Sequence, residues 1–194
     1  EPSHALSYLI KSYKNKDKWH CSFAYVQDQV DSNPYIMTRK YQGGMMNKES
    51  VSEIIHEIEN IDNCELKKNA KQLVFADGNN QSKIMIIGEG PGQKEDEQGK
   101  PFVGDAGILL NKMLEAIQIK RNNIYITNVV NYRPPNNRKP EPSEINRYSN
   151  YLRQHIAIID PKILILMGST AMESLFGSKI KISKERGVWK AVSY

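Results

Sequence analysis

The spacing of apolar positions changes several times along the chain, and each change predicts an element. Ile84, Met85, Ile86 and Ile87 form a short unbroken apolar run closed by Gly88. Such a run fits a strand buried on both faces of a parallel sheet. Ile124 to Val130 (IYITNVV), rich in β-branched residues, predicts a second strand, and Ile163 to Met167 a third. Between the runs the period lengthens to that of a helix. Val51, Ile54, Ile55, Ile58 and Ile61 fall at i, i+3, i+4, i+7 and i+10, with Asn47 or Ser50 ahead as a cap. Ala106, Leu109, Leu110, Met113, Leu114 and Ile117 repeat that spacing behind Asp105, a second candidate cap. Ile145, Tyr148, Leu152, Ile156 and Ile159 predict a helix from about Ser143, closed by Pro161. Shorter helices are expected over Leu66 to Leu73 and over Ala171 to Phe176, the latter capped by Ser169 and ended by Gly177.

Apolar strands alternating with amphipathic helices predict an α/β domain, a three-layer sandwich with a central parallel sheet. The strand ends then carry Glu89, Asn128 and Ser169, which should converge, because ligands of such sheets sit at the carboxyl ends of the strands. Residues 1–44 are an N-terminal segment of unknown role. There Ala5 to Ile10 could seed a short helix, Cys21 to Val30 alternates poorly, and Gly43-Gly44 reads as a joint before a domain over 45–194.

Composition adds limits. The length of 194 residues suits one domain, and the formal net charge of +5 suits a polyanionic partner without requiring one. Two cysteines, Cys21 and Cys64, lie far apart with no CxxC spacing, which points to neither a disulfide framework nor a zinc site. No apolar stretch approaches the roughly 18 residues of a membrane span, and the expected protein is soluble, cytoplasmic and monomeric.

The chemistry is expected around Gly88-Glu89-Gly90-Pro91-Gly92. Glycines admit a ligand close to the backbone, and the acid offers a charge or a general base. No Gly-Lys-Ser/Thr follows, so this is not a phosphate-binding Walker loop, and the third glycine is misplaced for GxGxxG. Taken alone the turn fits a structural bend as well as a site. Glu95, Asp96 and Glu97 follow on an expected loop, where acids are usually solvated. Phe102 fits the core, or a crevice wall where a flat ring stacks on a base. Arg133 to Pro140 (RPPNNRKP) is a basic loop whose prolines exclude helix.

Taken together these stretches are specific. GEGPGQKEDEQGKPFVGDAGILL, the Thr127-Asn128 pair, RPPNNRKP, the strand ending MGSTA and the late Arg186-Gly187-Val188-Trp189 resemble the family 4 uracil-DNA glycosylases from about Cys64 to Trp189. The resemblance implies an enzyme of base-excision repair that flips uracil out of DNA and hydrolyses its N-glycosidic bond. It implies that Gly88, Glu89 and Gly90 line the uracil pocket, with Glu89 positioning water and stabilising the oxocarbenium-like sugar. Phe102 would stack on the base and Asn128 would read its edge, its amide being both donor and acceptor. Glu95 matches a family acid near the pocket. Arg133, Arg138, Lys139, Ser169 and Arg186 are candidates for DNA phosphate contacts.

Two features depart from the family pattern. Members hold a four-iron, four-sulfur cluster on four cysteines, whereas the matching positions here are Ile61, Cys64, Tyr132 and Tyr148. With one thiolate of four, the expectation is no cofactor and no metal. Members also carry a His-Pro motif some way after RGxW, and none of His4, His20, His56 and His155 stands in that context before the sequence ends at Tyr194. The alternative to a glycosylase is therefore a non-catalytic DNA- or nucleotide-binding member of the same fold.

Overall fold

The computed structural model describes residues 21–26, 50–179, 181–185 and 189–192, with the backbone alone for 21–26 and Ala191. The expected helix at Ala5 to Ile10, the Gly43-Gly44 joint, the cap at Asn47 and the candidate Arg186 lie outside the described residues.

Six strands form one sheet: β1 (Cys21–Val26), β2 (Ala76–Gly78), β3 (Ile84–Gly88), β4 (Tyr125–Asn128), β5 (Ile163–Met167) and β6 (Trp189–Val192), in the order β2-β4-β3-β5-β1-β6. The three expected strands are its parallel centre, β3 pairing with both β4 and β5. The flanks make the sheet mixed: β2 runs antiparallel to β4, and β1, in the stretch where alternation is poor, runs antiparallel to β5. Beyond β1, β6 pairs with it in parallel.

Alternation along the central strands divides the core in two. Met85 and Ile87 of β3 and Leu164 and Leu166 of β5 face one side. They pack there against the helices α1 (Val51–Glu59), α2 (Glu65–Asn69), α5 (Pro142–Ile159) and α6 (Ser169–Phe176). Ile86, Ile126, Ile165 and Met167 face the other side, against Leu110 and Leu114 of α4 (Asp105–Ala116). Two remaining helices are short: α3 (Gln93–Gln98) and α7 (Ile182–Glu185). The α/β sandwich expected from the sequence is this arrangement, helices on both faces of the sheet.

Local chemistry moves several boundaries. The second helix stops at Asn69 rather than Leu73, because the backbone N–H groups of Lys71 and Gln72 donate to Asp96 Oδ1, at 2.8 and 3.4 Å, instead of continuing the helical ladder. The acidic stretch is helical rather than a loop, and Glu95 and Asp96 are buried. The caps also differ. Ser50 stands at its helix start with Oγ on Ser52 Oγ at 2.7 Å, not on an amide. Gly104, not Asp105, precedes α4, and Gly168, not Ser169, precedes α6. Gly168 has φ +94°, a left-handed turn that an L side chain rarely adopts.

Candidate active site

β3 and β4 end level with each other, Gly88 opposite Asn128, and the chain stays paired just past them as Val129 N–H donates to Gly88 O at 2.9 Å. This register puts the residues after β3 beside the last residue of β4. A cleft of about 410 Å³ opens there, lined by Gly88, Glu89 and Gly90, by Phe102 and Asn128, and by the backs of Gly104 and Gly168. That size is ordinary for a small-ligand site.

Gly88 is dictated by its neighbours. A Cβ there would lie 2.4 Å from Asn128 Oδ1 and 2.5 Å from Phe102 Cζ, so the ring and the amide both press against a backbone that has no side chain. Asn128 is buried at 3% exposure. Its side chain lines the cleft, where an amide can offer both a donor and an acceptor to a ligand. Glu89, half-buried, accepts a hydrogen bond from Thr170 Oγ1 at 2.5 Å.

Phe102 stands in a loop with φ +53°, a conformation that costs a bulky residue roughly 1–2 kcal/mol. Glu95 helps to hold that loop. Its Oε1 accepts from the N–H groups of Val103 at 2.9 Å and Gly104 at 2.7 Å, and its Oε2 from Gly92 N–H at 3.1 Å. The acid therefore ties the glycine turn to the Pro-Phe-Val-Gly loop, and it lines the cleft as well. Asp96, next to it, faces away to the Lys71 and Gln72 amides.

The basic residues lie apart from the cleft lining. Arg138 is engaged by Glu144 in a two-pronged pair, Nη1 to Oε2 at 2.8 Å and Nη2 to Oε1 at 2.7 Å. That bond holds the Glu144 carboxyl below its ordinary range. Arg133 donates to Asn137 Oδ1 at 2.6 Å, and Lys139 Nζ to Ser169 Oγ at 3.4 Å with Glu173 nearby at 3.8 Å. Ser169 is thus on the basic side of the α6 start, while Thr170 faces Glu89. The two hydroxyls part because one step in the first turn of a helix rotates the side chain by about 100°.

With this geometry in view, comparison with known proteins is decisive. Residues 75–193 match the family model of the uracil DNA glycosylase superfamily. The type-4 uracil-DNA glycosylase of Thermotoga maritima is 41% identical over 145 residues, 74% of this chain and 76% of that protein. The chain belongs to the type-4 uracil-DNA glycosylases. The enzyme of that name from Sulfurisphaera tokodaii is 41% identical over 151 residues, covering 73% of this chain and 68% of its own. That from Archaeoglobus fulgidus is 41% identical over 128 residues, covering 66% and 64%.

Membership of the type-4 glycosylases corrects one expectation. The sequence reading took the chain to have no cofactor, and kinship at 41% identity with these enzymes, whose resemblance carries an iron–sulfur cluster with it, overturns that conclusion. The side chains at the matching positions are nevertheless a poor fit to a cluster held by four thiolates. Ile61, Tyr132 and Tyr148 are buried in the core with Cys64, whose Sγ lies 3.5 Å from Tyr148 Oη. Burial raises the pKa of both tyrosines, so their hydroxyls stay protonated. Among the described residues no group of three or more His, Cys, Asp or Glu could hold a metal ion.

Proposed function

We infer that the chain is a hydrolase that excises uracil from DNA in base-excision repair. The observation that carries this reading is the meeting of Glu89, Phe102 and Asn128 at one cleft. A flipped-out uracil fits that meeting. Its face would lie on Phe102, and its imide edge, alternating carbonyl oxygens and N–H, matches the oxygen and NH₂ of Asn128.

The chemistry then follows from charge. Water attacks the sugar C1′ as the C1′–N1 bond breaks; the bonding pair leaves with uracil, and the sugar passes through a cationic, oxocarbenium-like state. The Glu89 carboxylate stabilises that cation and orients the water, whose proton passes to solvent as it adds to C1′, while the departed uracil anion takes up one proton from solvent. The Asn128 N–H takes part of the negative charge on the departing base. Gly88 and Gly90 let the base approach the backbone, and Glu95 keeps the walls in place.

Arg133, Lys139, Ser169 and Arg186 remain proposed phosphate contacts, the first two supported by the basic composition of their loop and Ser169 by its bond to Lys139. For Arg138 the pairing with Glu144 favours a structural part. No described helix is long and apolar enough to cross a membrane. We take the protein as a cytoplasmic monomer, a reading that rests on sequence and that gel filtration and cell fractionation would test. No observation favours the non-catalytic alternative.

The test of the function is incubation with a uracil-containing oligonucleotide followed by alkali. Strand breaks at the uracil are expected. Breaks no more frequent than those from a Glu89→Ala, Asn128→Ala double variant would overturn the assignment.

A further inference from the structure

We propose that Arg121, outside the cleft, is a positioning residue for the base-stacking ring, acting through the backbone of Phe102. The proposal rests on the reading that Phe102 stacks on uracil.

Arg121 stands in a 3-10 turn (Arg121–Asn123) ahead of β4 and does not line the cleft. Its guanidinium nevertheless spans the Phe102 loop. Nη2 donates to Pro101 O at 2.7 Å and Nη1 to Phe102 O at 2.9 Å, two successive carbonyls. The fork is itself anchored: Nε and Nη2 donate to Asp77 Oδ2 at 3.2 and 3.1 Å, and Nη1 to Asn111 Oδ1 at 3.1 Å. Asp77 belongs to β2 and Asn111 to α4, so Arg121 joins the loop to the sheet and to a helix at once.

The other side of the same carbonyl is closed by α4. A Cβ at Gly107 would lie 1.8 Å from Phe102 O, so the carbonyl sits against the backbone of α4 in space that any side chain would fill. Phe102 is held with φ +53°, and its ring rests against Gly88. Turning the peptide to an ordinary negative φ would carry the ring off Gly88, and the bonds to Arg121 oppose that turn. Lysine cannot replace the fork, since a single ammonium cannot hold two carbonyls and a carboxylate in one plane. The competing explanation is that Arg121 and Asp77 form an ordinary structural ion pair with no bearing on the base.

A double-mutant cycle separates the two. The inhibition constant of free uracil, together with the melting temperature, is measured for the intact protein, Arg121→Lys, Phe102→Ala and the double variant. Arg121→Lys is expected to raise the inhibition constant roughly tenfold, within the range a weakened base stack produces. The double variant should be no worse than Phe102→Ala alone, because the ring through which Arg121 acts is gone. Should Arg121→Lys fail to fold, Asp77→Asn loosens the same fork from its outer side and should move the constant in the same direction. An unchanged constant in the folded variant, or effects that multiply in the double variant, would overturn the proposal. An unchanged constant in Phe102→Ala would remove the stacking reading itself, and the proposal with it.

Discussion

Thr170 Oγ1 donates to Glu89 Oε2 at 2.5 Å, which fastens the proposed catalytic carboxylate of the loop after β3 to the first turn of α6 after β5. Thr170 is fully buried, so the bond is shielded from competing water. Hydrogen bonds to charged groups contribute about 1.5–3 kcal/mol. Thr170→Val, which keeps shape and loses the hydroxyl, should therefore lower kcat by roughly 10- to 100-fold. Thr170→Ser should keep most of the activity. Equal losses in both variants, measured in single-turnover excision, would show that packing rather than the hydrogen bond matters.

Gly88→Ala should fold and lose excision. The added carbon would meet Asn128 Oδ1 at 2.4 Å and Phe102 Cζ at 2.5 Å, and both must shift to admit it. Misplacement of about 1 Å at a reacting site costs roughly 100-fold in rate. Wild-type kcat/KM in a folded Gly88→Ala protein would mean that neither side chain contributes to turnover.

Acid should destabilise the fold earlier than carboxylates alone would cause. His155 is buried beneath the sheet, stacked on Phe75 with ring centroids 4.4 Å apart and bonded through Nε2 to Tyr125 Oη at 2.7 Å. Burial lowers its pKa to about 3. Burial also raises the pKa of Tyr125, so the pair is a hydrogen bond between a neutral hydroxyl and a neutral ring. Because the unfolded chain binds a proton near pH 6.5 and the folded chain does not, stability falls as pH drops from about 6.5 towards 3. The slope approaches roughly 1.4 kcal/mol per pH unit inside that window. Urea midpoints for the intact protein and His155→Gln at pH 5 and 7 would check this, the variant showing the shallower dependence.

Glu144 adds to the same trend at lower pH. Its pairing with Arg138 lowers its pKa, so this contribution is present above the unfolded carboxyl value and is lost as pH falls further.

The parallel centre of the sheet was legible because β3 and β5 are continuous apolar runs and β4 lies in a stretch rich in β-branched residues. β1 and β2 were not, since neither carries a clear alternation of its own and the pairing of each is decided by its neighbours. Glu89 and Asn128 could be placed at strand ends from the pattern, and the choice of Glu89, Phe102 and Asn128 as a set came from the family resemblance of the stretches that carry them. Thr170 and Arg121 could not. Thr170 is one of two adjacent hydroxyls, and only the phase of the helix selects it. Arg121 stands in the polar stretch KRNN, and its four partner residues come from three separate segments. Glu95 and Asp96 were read as solvated because acids near one another usually are. The amides they accept from are invisible until the loops are folded.

Mass spectrometry of the oligonucleotide product tests the central claim most directly. After incubation with the full chain, a strand carrying one uracil should be converted to the intact strand with an abasic site and one equivalent of free uracil, and Glu89→Ala with Asn128→Ala should abolish the conversion. Unchanged oligonucleotide under conditions where the protein is folded and bound to it would contradict the account.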